Sequence, residues 1–517
     1  MQDLKVIARG AGFVFIGFFV SKLLSYFYRV LLARFLGPEE LGIFSMGLAV
    51  VGIVTVFGAV GLYQGVLHFV AVYESRGEKE KVRGAVLGSL KMQLATSLVA
   101  MAAMLLIAEP VAMLAFQQPS LTLVLQLLAL TIPLQVITSN FMILTQAFKK
   151  IEYKVLVRHI IENLAKLALT FWLVFLGFGA AGASLALALA GAFALAVSFF
   201  FIQKKVYRVF SPGEKAVYNW RELFGYSWPL FAVGFFMLIM GNIDTISLGI
   251  LNTAFNTGIY NVATPTARFL EMPSFAFLSL FLPVATGLYA TRKMDDLGKA
   301  YKAVTRWIFS LTLPCALFAV LFAREILSIM FGPVYAEGAA ALAILSLGFF
   351  VFYSLDTVRS MLQPIAKTRL VLYNTIAAAV LNVILNVLLI PSLGIVGAAL
   401  ATTTSYFFWS LLAFFEVYSA IKIHPFSRAY WKPTLASFIA ILLFFALKSS
   451  IPAIDLFQFP LKVVLLLAFG AAFLAVYAVL FIAFRGLQPE DIEILKAIEA
   501  KTGVKAGFAR NIIKRFI

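Results

Sequence analysis

The sequence predicts an all-α polytopic membrane protein with about 14 transmembrane helices. These helices are expected to form two parallel six-helix repeats, which make two lobes, plus two extra C-terminal helices. The first observation behind this prediction is composition, since the 517 residues are 62% hydrophobic and only 13% charged. Soluble domains are roughly 45–50% apolar and about 25% charged. The second is that apolar segments of membrane length, about 20 residues each, recur along the whole chain.

The third observation is an internal repeat that divides the helices into two copies. Three short motifs recur after 215 or 216 residues. They are 108–116 (AEPVAMLAF) with 323–331 (AREILSIMF), 179–186 (GAAGASLA) with 394–401 (GIVGAALA), and 42–45 (GIFS) with 258–261 (GIYN). Because each copy holds an even number of spans, the second copy enters the membrane from the same side as the first. Parallel repeats of this kind are common in secondary transporters, which bind their substrate between the copies.

Every apolar segment is read as a helix, because backbone groups in lipid must be hydrogen-bonded within their own segment. In chain order, spans one to fourteen are roughly 11–33, 41–66, 85–108, 121–146, 155–177, 180–203, 223–250, 257–282, 303–322, 337–362, 369–391, 395–420, 432–450 and 461–484. The expected domains are an N-lobe at 1–210 (spans one to six), a C-lobe at 211–425 (spans seven to twelve), spans thirteen and fourteen at 426–486, and a tail at 487–517.

The two ends of the chain need separate interpretation. The first apolar run is interrupted by Lys22 and Arg29 and lacks an evident cleavage site, so it is read as a span and not as a signal peptide. The tail opens with Pro489-Glu490-Asp491, a favourable helix start. Its apolar stripe predicts an amphipathic helix on the cytoplasmic membrane face, with a structural role favoured over a regulatory one.

The distribution of lysine and arginine sets the expected orientation. These residues crowd the even-numbered connections, whereas the odd-numbered connections carry only Arg34, Arg324, Lys448 and Lys462. Basic residues accumulate on the cytoplasmic side. Both termini of this multi-pass protein are therefore expected in the cytoplasm, with the spans in the cell (plasma) membrane. The same asymmetry accounts for most of the net charge of +18, so nucleic-acid binding has no special support.

Several function classes lack the residues that they need. Cys315 is the single cysteine and the three histidines lie far apart in sequence, so neither a disulfide nor a metal site is expected. No Gly-rich phosphate loop is present, so ATP binding by that route is not expected. No cofactor is expected, and no nucleophile–base set indicates an enzyme.

Ionisable residues within the spans are the most informative part of the sequence. Such residues are costly in lipid and usually face the bundle interior or a wet cavity. Six are basic (Lys22, Arg29, Lys91, Lys166, Arg268, Arg359) and four are acidic (Glu162, Asp244, Glu271, Asp356). The excess of positive charge favours an anionic ligand.

Span one carries the clearest pattern. Lys22, Ser25, Tyr26 and Arg29 follow i, i+3, i+4, i+7 spacing, which places them on one face of a helix. We interpret this face as a cationic stripe toward an aqueous cavity. The alternative is that the basic side chains extend toward the headgroup layer.

Other intramembrane charges form pairs at helix-contact spacing, which can neutralise each other locally. The pairs are Arg268 with Glu271, Asp356 with Arg359, and Glu162 with Lys166. A purely structural ion pair is favoured for Glu162 and Lys166. For the other two pairs a structural role and a substrate-binding role stay open, since an oriented arginine suits phosphate oxygens.

Acidic residues within the spans are candidates for ion coupling. Asp244 has no basic partner on its own helix, so it pairs across helices or carries a proton or a sodium ion. Cross-helix pairing is favoured for Asp244. Glu271 and Asp356 are the other candidate coupling residues.

The motifs resemble those of a known family. Residues 21–45, with Ala33-Arg34 and then Leu36-Gly37-Pro38, are similar to the opening segment of the lipid-linked oligosaccharide flippases. These proteins form the polysaccharide-export branch of the multidrug/oligosaccharidyl-lipid/polysaccharide exporter superfamily. Residues 394–400 (GIVGAAL) are similar to another family segment. Arg268, Glu271 and Pro273 look like the Arg-x-x-Glu-x-Pro stretch of the related lipid II flippases.

The resemblance covers the whole chain and implies several site residues. Lys22 and Arg268 match positions where the lipid II relatives carry arginines, and the span-eight arginine of those relatives contributes to a cationic cavity. Tyr28 stands where those relatives carry another arginine, and Arg29 where they carry an acid, which argues against lipid II as the substrate. The resemblance also implies that spans thirteen and fourteen help to form a groove for a prenyl tail.

The hypothesis is a flippase that moves a polyprenyl-(pyro)phosphate-linked oligosaccharide from the cytoplasmic to the outer leaflet by alternating access. Lys22, Arg29 and Arg268 would hold the phosphates, with Arg359 a weaker candidate and Ser25 and Tyr26 beside them. The expected partners are this lipid-linked sugar and membrane lipids, and a monomer is expected. The main alternative is a cation-coupled multidrug exporter on the same fold, which the basic first span disfavours. A membrane-bound transferase and a passive structural partner are further alternatives.

Overall fold

The computed structural model describes residues 2–209, 215–448 and 459–488, and in these ranges the chain is helical, without strands. Eleven helices are long and apolar enough to cross a bilayer. Two of them, Phe19–Ser75 and Thr368–Ile421, bend sharply within the chain and supply two spans each. Span five is supplied by the consecutive helical segments Ile151–Val155, Leu156–Ile161 and Glu162–Phe175. The described residues thus contain the fourteen spans that the sequence predicts, and the all-α membrane fold is confirmed.

The helices follow one another with short connections. In the first half of the chain they are Gln2–Ala59, Leu62–Ser75, Lys79–Pro110, Val111–Ala115, Ser120–Ala129, Thr131–Ala147, Ile151–Val155, Leu156–Ile161, Glu162–Phe175, Gly179–Phe201, Ile202–Val206 and Trp220–Leu251. In the second half they are Ala254–Ala267, Arg268–Leu270, Glu271–Ala290, Met294–Leu321, Ala323–Phe331, Pro333–Gly338, Ala339–Ser354, Asp356–Met361, Thr368–Ile421, Arg428–Tyr430, Trp431–Lys448 and Phe459–Ala483.

The bend at Gly37 separates span one from span two. Gly37 has φ 76° and ψ 175°, a backbone conformation outside the helical region, and Pro38 follows it. Only glycine adopts a positive φ without steric cost, and a proline is well tolerated at the start of the next helix. The Leu36-Gly37-Pro38 motif therefore turns the chain back into the membrane with a minimal connection.

The duplication seen in the sequence is repeated in the backbone. Three pairs of residues have left-handed conformations at the same separation of 215 residues. They are Gly77 (φ 71°) with Arg292 (φ 57°), Gln117 (φ 52°) with Gly332 (φ 124°), and Gly179 (φ 55°) with Gly394 (φ 55°). Left-handed residues terminate or bend helices at defined points. The two copies therefore change direction at equivalent positions, which confirms the two six-helix repeats.

Packing divides the chain into two compact units, Met1–Asn261 and Val262–Ile517. The first unit thus contains span seven and the beginning of span eight in addition to the first copy. These units do not follow the boundary of the duplicated sequences. The expected lobe boundary at 210/211 concerns the functional halves and stays a prediction.

A reciprocal contact between two glycines explains why the start of span eight packs within the first unit. A Cβ atom built on Gly42 would lie 1.8 Å from the carbonyl oxygen of Ala254 and 3.0 Å from the nitrogen of Gly258. A Cβ atom built on Gly258 would lie 1.8 Å from the carbonyl oxygen of Pro38 and 3.1 Å from the nitrogen of Gly42. These glycines belong to the repeated GIFS and GIYN motifs. Only residues without side chains allow two helix backbones to approach so closely.

Spans thirteen and fourteen lie outside the repeats and are attached to the second unit. Their core residues include Ala440, Phe444 and Phe473, which pack with Phe322 in one buried cluster. The Tyr477 hydroxyl donates a hydrogen bond of 2.6 Å to the carbonyl oxygen of Ser310. The buried guanidinium of Arg306 donates to the carbonyl oxygen of Gly486 at 2.9 Å. Span nine therefore holds the end of span fourteen, and the tail helix predicted from 489 onward lies outside the described residues.

Substitution of either contact glycine should destabilise the protein. In Gly42→Ala or Gly258→Ala the added methyl group meets backbone atoms that no rotamer change can move, so we expect a loss of about 3 kcal/mol. Thermal unfolding of the purified protein in detergent measures this loss as a lower midpoint. Gly52→Ala is the matched control on span two, because nothing lies within 4 Å of its built Cβ. Equal midpoints for all three variants would refute the close contact.

Candidate functional site

The predicted polar face of span one is present in the first unit. Ser25 is exposed, and Lys22, Tyr26 and Arg29 are partly buried. A separate stripe of exposed apolar side chains runs along the neighbouring face of the same helix. It consists of Phe19, Leu23 and Phe27. One face of span one is therefore apolar and exposed, and the neighbouring face is basic.

Arg29 connects span one to span eight within the first unit. Its Nη1 atom donates a hydrogen bond to the main-chain carbonyl oxygen of Asn261. The Asn261 amide in turn lies 3.1 Å from the hydroxyl of Thr245 and donates to the carbonyl oxygen of Thr257 at 2.9 Å. The guanidinium is thus positioned by a polar network at the point where span eight begins.

Asp244 forms a hydrogen bond with a side chain of another helix. Its carboxylate accepts a hydrogen bond of 2.8 Å from the Tyr260 hydroxyl, which is carried by the following helix. Both side chains are buried. A buried carboxylate requires such hydrogen bonds to be tolerated. A role for Asp244 in ion coupling stays a prediction.

The charges of span five pair differently from the expected Glu162–Lys166 arrangement. Both carboxylate oxygens of Glu162 accept hydrogen bonds from Nη1 of Arg158, at 3.0 and 2.8 Å. The Lys166 ammonium instead lies over the ring of Tyr28 on span one, 4.4 Å from the ring centre. Both pairs have i, i+4 spacing on span five, so spacing alone could not decide which cation Glu162 would bind.

The second unit holds a buried network around Arg359. Nη2 of Arg359 forms an ion pair of 2.6 Å with Asp356, so the predicted pairing is confirmed. Nη1 donates to the carbonyl oxygen of Phe352 at 2.7 Å and to the hydroxyl of Ser410 at 2.9 Å. The hydroxyl of Ser274 donates to the second oxygen of Asp356 at 2.5 Å. Most donors of this arginine are therefore already used within the protein.

Arg268 and Glu271 lie where span eight changes its helical geometry. Arg268 belongs to a short 3-10 segment, Arg268–Leu270, and Glu271 begins the next helix. The guanidinium of Arg268 lies 5.9 Å from the ring centre of Phe349. Arg268 and Glu271 are both electrostatic neighbours of the buried Tyr353. The two charges predicted from the sequence thus share one polar neighbourhood in the second unit.

Some contacts of these residues had no sequence signal. The sequence distinguishes Tyr28 only as a departure from the lipid II relatives, whereas in the structure its ring lies against the Lys166 ammonium. Ser274 on span eight and Ser410 on span twelve both contact the Asp356–Arg359 pair. Serines of this kind are common in membrane helices. Their partners lie 82 and 51 residues away, so local periodicity does not indicate them.

The arrangement offers positive charge to an anionic ligand. Basic side chains at membrane depth occur in both units, and oxygen-rich anions are their natural ligands. In the part of the chain that the structure describes, no three His, Cys, Asp or Glu side chains are close enough to hold a metal ion.

The sequence pattern of one family, described as polysaccharide biosynthesis protein, matches residues 7–289, which is more than half of the chain. The chain belongs to this family. A second pattern, named MatE, matches residues 229–388 of this chain. The two matches confirm the resemblance to the polysaccharide branch of the exporter superfamily.

Individual relatives agree with the family. An uncharacterized membrane protein of Methanocaldococcus jannaschii is 23% identical over 451 residues, which cover 83% of this chain and 87% of that protein. The probable flippase AglR of Haloferax volcanii is 28% identical over 281 residues, which cover 52% of this chain and 54% of that protein.

Solved structures share the fold of this family member. The lipid II flippase MurJ in its inward closed conformation matches with a TM-score of 0.69 at 16% identity, covering 90% of this chain and 98% of that chain. An inward-facing multidrug resistance transporter of the MATE family matches with a TM-score of 0.66 at 16% identity, covering 78% of this chain and 94% of that chain. At such low identity these matches show the fold alone.

Loss of one partner of the buried ion pair should destabilise the second unit. In Arg359→Ala the carboxylate of Asp356, which is 23% exposed, stays partly buried without its counter-charge, and we expect a loss of about 3 kcal/mol, the lower end of the cost for a fully buried charge. The double variant Asp356→Asn with Arg359→Met removes both charges and should lose less. Thermal unfolding in detergent compares them, with the exposed Arg428→Ala as the control. A midpoint for Arg359→Ala equal to that of the control would contradict this network.

Proposed function

We propose that this protein is a flippase for a polyprenyl-(pyro)phosphate-linked oligosaccharide. It would carry the sugar and phosphate groups of this lipid from the cytoplasmic to the outer leaflet, while the prenyl tail stays in the hydrocarbon layer. Family membership supports a role in polysaccharide biosynthesis. The relative AglR is itself described as a probable flippase. The fold is that of membrane carriers.

The observation that carries the proposal is the basic face of span one. A cation at membrane depth is costly, and the cost is offset when an anion is bound there. Lys22 and Arg29 share this face, seven residues apart, which corresponds to about 10 Å along the helix axis. A diphosphate with its first sugar is long enough to contact both. A neutral or cationic drug would gain nothing from these charges.

The proposed phosphate ligands differ in how many of their hydrogen-bond donors already contact groups of the protein. Lys22, Arg29 and Arg268 are the main candidates, and Ser25 and Tyr26 offer hydroxyl groups beside the first two. Arg359 is the weaker candidate, because it is buried and donates to Asp356, Ser410 and a carbonyl oxygen.

The acidic candidates for ion coupling can be ordered by the same reasoning. Asp244, Glu271 and Asp356 stay candidates for a sodium or proton site. Asp356 ranks last, because a cation there would have to displace Arg359 from a 2.6 Å ion pair. The membrane potential is a further driving force. An inside-negative potential favours outward movement of an anion by about 2.3 kcal/mol per charge per 100 mV.

A cation-coupled multidrug exporter is the second candidate. It is favoured by the MatE match over residues 229–388 and by the structural similarity to a multidrug transporter. Such a protein would transport organic cations. The basic face of span one repels such substrates, so we rank this function second.

Removal of both span-one cations should abolish flipping. The protein is reconstituted into vesicles with a fluorescent prenyl-diphosphate-linked oligosaccharide, and lipid reaching the opposite leaflet is quenched from outside. We expect Lys22→Ala with Arg29→Ala to lose at least 90% of the wild-type rate, since two phosphate ligands at about 1.5–3 kcal/mol each are lost. The control, Lys79→Ala with Lys299→Ala, removes two exposed cations and should flip normally. Dye transport without lipid movement would favour the exporter instead.

The proposed orientation is tested by thiol labelling from the cell exterior. In a Cys315→Ala background, a cysteine at Lys79 or Lys299 should be labelled only after the cells are permeabilised, because both positions lie in connections that we assign to the cytoplasm. A cysteine at Gln118, in an odd-numbered connection, should be labelled in intact cells. The reverse pattern would invert the proposed direction of transport.

A further inference from the structure

Span one packs against span five along a regular line in the first unit. Asn163 donates to the hydroxyl of Ser21 at 3.2 Å. Seven residues further along span one, Tyr28 meets span five. After seven more, the ring of Phe35 lies 5.8 Å from that of Phe171 in edge-to-face geometry. Lys22 and Arg29 each follow a residue of this line. The basic face of span one therefore lies directly beside span five.

Tyr28 and Lys166 form the middle contact of this line. Tyr28 is only 7% exposed, and its hydroxyl accepts a hydrogen bond of 3.3 Å from Thr170. Thr170 lies one helical turn after Lys166 on span five. Thr170 therefore holds the hydroxyl end of the Tyr28 side chain, and the Lys166 ammonium covers the face of the Tyr28 ring. The distance of 4.4 Å from Nζ to the ring centre is typical of a cation–π contact.

The acid that could neutralise Lys166 is engaged elsewhere. Glu162 lies one turn before Lys166, but Arg158 donates to both of its carboxylate oxygens. Within the described ranges, Nζ of Lys166 forms no ion pair or hydrogen bond, and it lies over the ring of Tyr28. Glu162 still attracts the Lys166 ammonium electrostatically, while the positive charges of Arg29 and Arg158 repel it, so three cations surround one acid here. The local charge is therefore positive.

We propose that Lys166 is a phosphate-binding residue that acts with Arg29 on the substrate's diphosphate, and that Tyr28 is its positioning residue. This inference rests on the proposed flippase function and adds a ligand from span five to those from spans one and eight. Arg29 binds one phosphate group with its planar fork, and Lys166 binds the next as a point charge. The Tyr28 ring holds the ammonium near Arg29 without supplying an anion that would compete.

The site should prefer a diphosphate to a monophosphate. A monophosphate can satisfy one of the two cations well, whereas a diphosphate presents oxygens to both. A structural role for Lys166 makes no such distinction, because packing against Tyr28 does not depend on the ligand. Discrimination between the two prenyl phosphates is therefore the readout that separates binding from stability.

The test measures binding of farnesyl diphosphate, farnesyl monophosphate and farnesol to the purified full-length protein in detergent. We expect Lys166→Ala and Lys166→Met to weaken farnesyl diphosphate binding tenfold or more, the effect of losing one charge-assisted hydrogen bond. Farnesyl monophosphate binding should change less than threefold and farnesol binding not at all. Lys166→Arg should retain diphosphate binding within about threefold, since the charge is kept.

Lys154→Ala is the matched control. Lys154 precedes the Arg158–Glu162 pair, and its ammonium donates to the side chain of Gln146 at 2.8 Å. Its diphosphate affinity should stay within twofold of the unchanged protein. If Lys166→Met folds and binds farnesyl diphosphate as tightly as the control while Arg29→Ala binds it weakly, the assignment of Lys166 is wrong and the flippase proposal survives. If the unchanged protein binds neither prenyl phosphate more tightly than farnesol, both proposals fail.

Discussion

The backbone contact between Gly42 and Gly258 is the constraint on which the first unit depends. Each glycine leaves room for the other helix, so the beginning of span eight lies against span two at backbone distance. On the same helix as Gly258, Asn261 accepts a hydrogen bond from Arg29, and Tyr260 donates one to Asp244. Because the two glycines stand in equivalent motifs of the two copies, the repeat itself supplies both halves of the contact.

The intramembrane charges fall into two groups that differ in how they are compensated. In the second unit, Asp356 and Arg359 neutralise each other and gain further hydrogen bonds from Ser274 and Ser410. In the first unit, Arg158 forms an ion pair with Glu162, and the Lys166 ammonium lies over the ring of Tyr28. Complete internal compensation is what a rigid structural element needs. Incomplete compensation beside the basic face of span one is what a site for an anionic ligand needs.

Much of the fold could be predicted from the sequence because its signals are local or periodic. The fourteen spans follow from apolar length, and the bend at Gly37 follows from glycine and proline chemistry. The contacts of the charged side chains could not be predicted in the same way. The i, i+4 spacing fits the pairs Arg158–Glu162 and Glu162–Lys166 equally. The ring of Tyr28, which contacts Lys166, belongs to another helix. The serines around Asp356 and Arg359 lie 51 or more residues from their partners, a distance that sequence periodicity does not bridge.

The contact between Lys166 and Tyr28 has a consequence for handling the protein in solution. A ring face attracts an ammonium by about 0.5–2 kcal/mol, far less than a buried carboxylate does. At the phosphate-binding position that we propose for Lys166, small oxyanions would therefore bind when no lipid is present. Phosphate and sulfate buffers, and detergents with acidic headgroups, would compete with the natural ligand. Chloride-based buffers and neutral detergents leave the position open, and measured affinities will depend on that choice.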